Sequence, residues 1–178
     1  MQANGAKLIF AGSVGSGKTT AIGCMSDIPT ISTDVAATDE TLERKETTTV
    51  AMDYGFMALE DGQYVHLYGT PGQERFDFMW EILADGALGL VLMVDATRED
   101  PVADMEFYLD RFADVISQTA AVIGISRSDI AERDIFERVQ NKLLQRGQRM
   151  PVFEVDARET DQVSLLVNTL MLSLAASA

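Results

Sequence analysis

The sequence predicts an α/β fold: an open, mostly parallel sheet of six strands with one antiparallel edge strand, covered on its two faces by five helices. Three observations carry this. Short apolar runs alternate with segments of helical period along the chain, the pattern of a sheet layered with helices on both sides. Several of those runs are apolar throughout rather than alternating, as strands buried on both faces must be. One pair is joined instead at Asp61-Gly62, a dipeptide that favours a tight reversal and hence an antiparallel neighbour.

In chain order, residues 7–11 form the first apolar run, a Gly-rich loop follows at once, and residues 20–25 have helix-forming composition. Residues 26–45 are polar and aperiodic and contain Pro29; a loop of that length in a compact domain usually carries function. Residues 49–59 and 63–68 read as the antiparallel pair of strands. Further strands are expected at 87–94, 120–125 and 152–155, separated by helices at 74–83, 102–117, 130–146 and 161–174.

The chain of 178 residues fits one domain over its whole length, large enough to bury a core without staples. Its 47% hydrophobic and 24% charged residues are near globular averages. Cys24 is the single cysteine, which excludes an internal disulfide and suits a reducing cytoplasm. A net charge of −14 repels nucleic-acid phosphates and anionic lipid, so neither is expected as a partner, and a basic protein surface fits better. Neither end carries a lipidation or signal pattern, and the apolar stretch 163–174 is too short to span a bilayer, so no intrinsic membrane anchor is expected.

The Gly-rich loop comprises Gly12, Ser13, Val14, Gly15, Ser16, Gly17, Lys18 and Thr19, followed by Thr20. This is G-x-x-x-x-G-K-T between a strand and a helix, the pattern that cradles a nucleoside triphosphate. Glycines let successive backbone N–H groups converge on phosphates, and the following helix N-terminus adds partial positive charge. Lys18 is expected to neutralise the β- and γ-phosphates, and the Thr19 hydroxyl to hold Mg²⁺.

By the rule for open sheets, the remaining chemistry belongs in loops at the carboxyl ends of the parallel strands. There the chain reads Gly69-Thr-Pro-Gly-Gln-Glu-Arg-Phe76, which resembles D-T-A-G-Q-E-R-F of the Ras-like small GTPases. The resemblance covers about residues 7–174 and implies a P-loop fold of the Ras-like three-layer type. It implies that Gly72 donates its N–H to the γ-phosphate and that Gln73 orients the attacking water. Thr49, or its neighbours Thr47 and Thr48, would reach Mg²⁺ in the triphosphate state. Ser126, Arg127 and Asp129 stand where the family has N/T-K-x-D, and Asp129 would accept both guanine donors, N1–H and N2–H, which argues for GTP over ATP. Asp156, Ala157 and Arg158 resemble the family's S-A-K loop, whose Ala N–H meets guanine O6.

Two departures bear on mechanism. Gly69 replaces the family's Mg²⁺-holding aspartate, so weaker metal retention is expected, or rescue by Asp53 or Asp95. Val14 stands where Ras has glycine, so a branched side chain there is expected to crowd Gln73 or an incoming arginine. The Gly-Thr-Pro-Gly loop is also similar to bacterial GTPases of the MglA and conservon type, which implies a cytoplasmic switch with an effector, an activating protein and Roadblock-type partners. The expected activity is slow hydrolysis of GTP to GDP, with signalling through loops at about 29–49 and 69–80; Arg44, in the first, is a candidate internal arginine finger. Two rival readings are a GTP sensor without significant hydrolysis and a small-molecule phosphotransferase. Trp80 reads as core packing or as an exposed anchor for a partner, and His66 as a structural or surface residue.

Overall fold

A computed structural model of the chain describes residues 6–32, 52–59, 62–72 and 77–177. Strand β1 (Ala6–Ala11) lies at the centre of the sheet, and its alternating side chains feed two cores. Leu8 and Phe10 join Ile22, Val163 and Leu166 on one face, while Ile9 and Ala11 join Trp80, Met105 and Val139 on the other. A strand period of two thus splits one apolar run between two faces, which is why the run shows no polar alternation.

Helix α1 (Lys18–Met25) follows the Gly-rich loop, and the chain then passes through β2 (Ile31–Ser32), β3 (Asp53–Ala58) and β4 (Tyr64–Gly69). Next come α2 (Asp77–Ala84), β5 (Gly89–Asp95), α3 (Pro101–Arg111), α4 (Ala113–Gln118) and β6 (Ala120–Ser126). The last elements are α5 (Ile135–Gln145), β7 (Val152–Val155) and α6 (Thr160–Ser177). The strand order is β2-β3-β4-β1-β5-β6-β7, and only β3 runs against its neighbours. Helices α1 and α6 cover one face, and side chains of α2, α3 and α5 fill the core on the other. The expected α/β architecture is therefore present. Among the described residues no helix is long and apolar enough to cross a membrane.

Among the described residues the sheet has seven strands rather than six, because β2 contributes two exposed residues too few to show any period. The helix expected at 102–117 divides at Phe112, which leaves helical geometry (φ −101°, ψ 17°) with its side chain 1% exposed among the aromatic residues of the core. Asp100 caps α3 by accepting from the Ala103 N–H at 3.0 Å, with Pro101 at the first helical position. The helix expected from residue 130 begins only at Ile135, after a short 3₁₀ turn at Ser128–Ile130. Its buried stripe is Ile135, Val139 and Leu143, at four-residue spacing.

The reversal expected at Asp61-Gly62 is observed at Gly62, which has φ 79°; Asp61 lies outside the described residues. Leu59 N–H donates to Gln63 O at 2.8 Å, and from there the register sets Asp53 opposite Gly69.

Candidate functional site

The carboxyl ends of β1, β6 and β7 bring three loops together at one edge of the sheet. In the Gly-rich loop Gly12, Gly15 and Gly17 have φ of 139°, 79° and 99°, a region that side chains other than glycine rarely adopt. A Cβ at Gly12 would strike the Met93 carbonyl. The loop folds around Lys18, whose Nζ donates to the carbonyls of Gly12 and Ser13, each at 2.8 Å. Lys18 is 6% exposed, and burial pushes its ammonium down to about 8 although the Asp53 charge acts in the opposite direction. The loop thus holds a desolvated cation, and a phosphate would satisfy it.

Thr19 Oγ1 donates to Asp53 Oδ2 at 2.5 Å. Of the two acids named for the neighbourhood of residue 69, Asp53 is the one that contacts Thr19. Residues 69 and 53 share one space: a Cβ on Gly69 would stand 3.0 Å from Asp53 Cβ and 3.1 Å from Asp53 Oδ2. Glycine at 69 leaves the space that the Asp53 carboxylate fills. Asp95 has another task. Its Oδ1 accepts from the Thr97 N–H and hydroxyl at 3.0 and 2.7 Å, and its Oδ2 pairs with Arg127 Nη1 at 2.6 Å.

Thr19 and Asp53 offer hard oxygen ligands of the kind Mg²⁺ prefers, and they fit that ion with phosphates completing its shell. Among the described residues no group of three or more His, Cys, Asp or Glu could hold a metal without such help. Thr47, Thr48, Thr49, Gln73 and Arg44 lie outside the described residues. Gly72 is described: a Cβ on it would meet Val14 N at 2.6 Å, so its α-carbon packs directly on the phosphate loop. Val14 itself is 58% exposed.

At the carboxyl end of β6, Ser126 Oγ donates to Ser16 O at 2.9 Å and tethers β6 to the Gly-rich loop. Arg127 is the one non-glycine with positive φ among the described residues (φ 58°), and its Nη2 donates to Gly15 O at 2.5 Å. Arg127 therefore spans Asp95 and the phosphate loop with its two-pronged guanidinium, a contact a lysine ammonium could not make in one plane. Asp129 sits exposed on the 3₁₀ turn, accepting no hydrogen bond from the described residues. Ala157 lies beside Gly17, whose added Cβ would be 2.9 Å from Ala157 Cβ. Arg158 hydrogen bonds both oxygens of Asp156 and holds that carboxyl down at about 2. Ser16, Gly17, Thr20, Asp129, Ala157 and Arg158 line one cleft of about 610 Å³.

Trp80 is 3% exposed and belongs to the core, so the partner-anchor reading falls and the packing reading stands. His66 Nδ1 meets the Tyr54 hydroxyl at 2.8 Å on the sheet, a structural role. Sequence reasoning named Asp53 and Asp95 without separating them; the signal that divides them is the hairpin register. It missed the contact of Trp80 with the loop before Gly72, for which no local signal exists.

Residues 28–176 match the model of a family described as "Conserved hypothetical ATP binding protein"; the Gly-rich loop precedes the matched span. Among curated proteins, the chain is 40% identical over 50 residues to "Uncharacterized protein MJ1339" of Methanocaldococcus jannaschii, covering 28% of this chain and 32% of that one. It is 25% identical over 118 residues to "Ras-related protein Rab-27A" of Sus scrofa, covering 64% of this chain and 53% of the relative. It is 26% identical over 131 residues to "GTP-binding protein ypt1" of Schizosaccharomyces pombe, covering 70% and 64%. The chain thus spans between a third and just under two thirds of the length of these relatives.

Proposed function

The chain belongs to the family described as conserved hypothetical ATP binding proteins and is related to the Ras-like GTPases, and on that footing we propose that it is a guanine-nucleotide switch. It binds GTP or GDP with Mg²⁺, hydrolyses GTP slowly, and presents the result through residues 29–49 and 69–80, as one G domain over the whole chain. The observation that carries this is the continuous cleft in which the phosphate loop meets an exposed carboxylate, Asp129, near Arg158 and the backbone of Ala157. A carboxylate there accepts from N1–H and N2–H of guanine, and adenine has no such pair of donors. The family's description speaks of ATP; Asp129 favours the other purine.

Each residue has a role in that reading. Lys18 neutralises phosphate charge, and backbone N–H groups of Gly15 to Thr19 hold the phosphate chain. Thr19 and Asp53 hold Mg²⁺, which when bound offsets charge on the β- and γ-phosphates. Gln73 positions water, Gly72 contacts the γ-phosphate, and Thr49, or its neighbours Thr47 and Thr48, would reach Mg²⁺. Ser126 and Arg127 keep the base loop and phosphate loop in register. Catalysis is then positioning and charge neutralisation, with a slow intrinsic rate on the order of 10⁻⁴ to 10⁻³ s⁻¹ in the absence of a supplied arginine. The place of action is the cytoplasm and the partners are an effector and an activating protein, Roadblock-type in the MglA-like version of the reading.

A second reading, GTP sensing without hydrolysis, draws on Val14, whose backbone packs closely on Gly72, the residue assigned above to the γ-phosphate. Single-turnover hydrolysis of wild type against Val14→Gly separates the two: a gain in rate supports crowding of an active site, and no turnover in either supports the sensor. Base reading is tested by Asp129→Asn. Preference should move from GTP towards XTP, whose N2 position is an acceptor, and unchanged GTP affinity would refute the assignment.

A further inference from the structure

Trp80 and Tyr108 hold the backbone on both sides of the Gly72 N–H. Trp80 Nε1 donates to the Pro71 carbonyl at 2.9 Å, and the Tyr108 hydroxyl donates to the Gly72 carbonyl at 3.4 Å. The Pro71 carbonyl and the Gly72 N–H belong to one peptide plane. There are no cis peptide bonds among the described residues, so the two groups point in opposite directions. An indole that grips the carbonyl therefore turns the N–H away from the aromatic core. On its other side, the Gly72 α-carbon rests on the Ser13–Val14 backbone of the phosphate loop.

The indole is itself fixed. It stacks on Phe112 at 5.8 Å and 22°, lies at 5.1 Å from Tyr108, and meets Phe107 edge-on at 6.0 Å. Aromatic packing explains the burial, and a phenylalanine would supply much of it. Packing leaves the N–H unexplained, because a buried indole donor needs a partner and the one chosen is a loop carbonyl at the phosphate site.

We propose that Trp80 and Tyr108 are positioning residues that aim the Gly72 N–H, so that α2 and α3 read whether a γ-phosphate is present. The proposal rests on the reading of Gly72 as the γ-phosphate contact. It adds the device that gives this N–H its direction: the indole donor and the phenol of two helices. A triphosphate gains from the aimed N–H, and a diphosphate does not reach it. Discrimination between the two therefore depends on Trp80, while the affinity for the diphosphate does not.

The test is calorimetric titration of wild type, Trp80→Phe and Tyr108→Phe with GDP and with a non-hydrolysable GTP analogue. If the wild type prefers adenine, the adenine pair replaces them, so a wrong base assignment leaves this test intact. The expected result for Trp80→Phe is a five- to tenfold loss of triphosphate affinity with diphosphate affinity unchanged, the effect of one hydrogen bond. Tyr108→Phe, with the longer bond, should lose about two- to threefold. If Trp80→Phe fails to fold, benzothienylalanine at position 80, which keeps the indole shape without the N–H, takes its place and should show the same selective loss. Equal weakening of both nucleotides, no change in either, or a wild type that does not distinguish tri- from diphosphate would overturn the proposal.

Discussion

Restoring the aspartate that Ras-like proteins carry at position 69 should damage this chain, because the space is already taken. The perturbation is Gly69→Asp. Its Cβ would lie 3.0 Å from both Asp53 Cβ and Ile22 Cδ1. Overpacking of that kind costs about 1–3 kcal/mol. The new carboxylate would also face Asp53, 8% exposed, at roughly 4 Å, where like charges repel by about 4 kcal/mol at an effective dielectric constant near 20. With some relaxation, the loss in unfolding free energy without nucleotide or Mg²⁺ should be about 3–6 kcal/mol, a large share of a typical domain's stability. The assay is urea unfolding in EDTA followed by fluorescence of Trp80, the single tryptophan. The swap Gly69→Asp with Asp53→Gly moves the carboxylate to the partner strand and should recover most of the loss. A Gly69→Asp protein as stable as wild type, or a swap no better than the single variant, would refute the idea that the two positions share one space.

The other predictions concern the charges of the site. Lys18, held at about 8 in the fold against 10.5 unfolded, carries a desolvation penalty that is complete below pH 8 and relieved as pH rises towards 10.5. The stability of nucleotide-free wild type relative to Lys18→Met should therefore rise by about 3 kcal/mol across that window in parallel denaturation curves, and a constant difference would contradict it. Triphosphate affinity should fall by up to about tenfold per pH unit above pH 8, since binding requires the protonated ammonium; calorimetry at pH 7, 8 and 9 reads this directly. Asp53→Asn should raise the Mg²⁺ concentration needed to retain GTP by about tenfold or more, whereas Asp95→Asn should leave it unchanged. Asp95→Asn should instead speed release of GTP and GDP alike, by about fivefold, because Arg127 loses its buried anchor. Release rates of fluorescent nucleotides at varied Mg²⁺ check both.

Much of this architecture can be seen in the order of residues. Runs such as 89–95, where every residue is buried, need no polar alternation, and their lack of it marks a sheet covered on both faces. The phosphate loop is visible because its chemistry is local: Gly12, Gly17, Lys18 and Thr19 act within eight positions. The role of Asp53 is not local. A two-residue turn at Asp61-Gly62 would pair Asp53 with Thr70, and the observed register, one residue different, pairs it with Gly69 and turns its carboxylate towards Thr19. Nothing in the neighbours of Arg127 reveals its left-handed backbone or the Asp95 partner 32 positions away. The late start of α5 has a similar cause: Ser128, Asp129 and the polar run to Asp134 favour turns, although the apolar Ile130 suggests an earlier helix.

The central claim is that a guanine nucleotide occupies the cleft between the phosphate loop and Asp129. Calorimetric titration of the purified protein with GTP and with ATP, in Mg²⁺ buffer, tests it most directly. The account predicts saturable GTP binding at least about a hundredfold tighter than ATP, as a site built to pair with specific donors should show. ATP bound as tightly as GTP, or neither nucleotide bound, would contradict it.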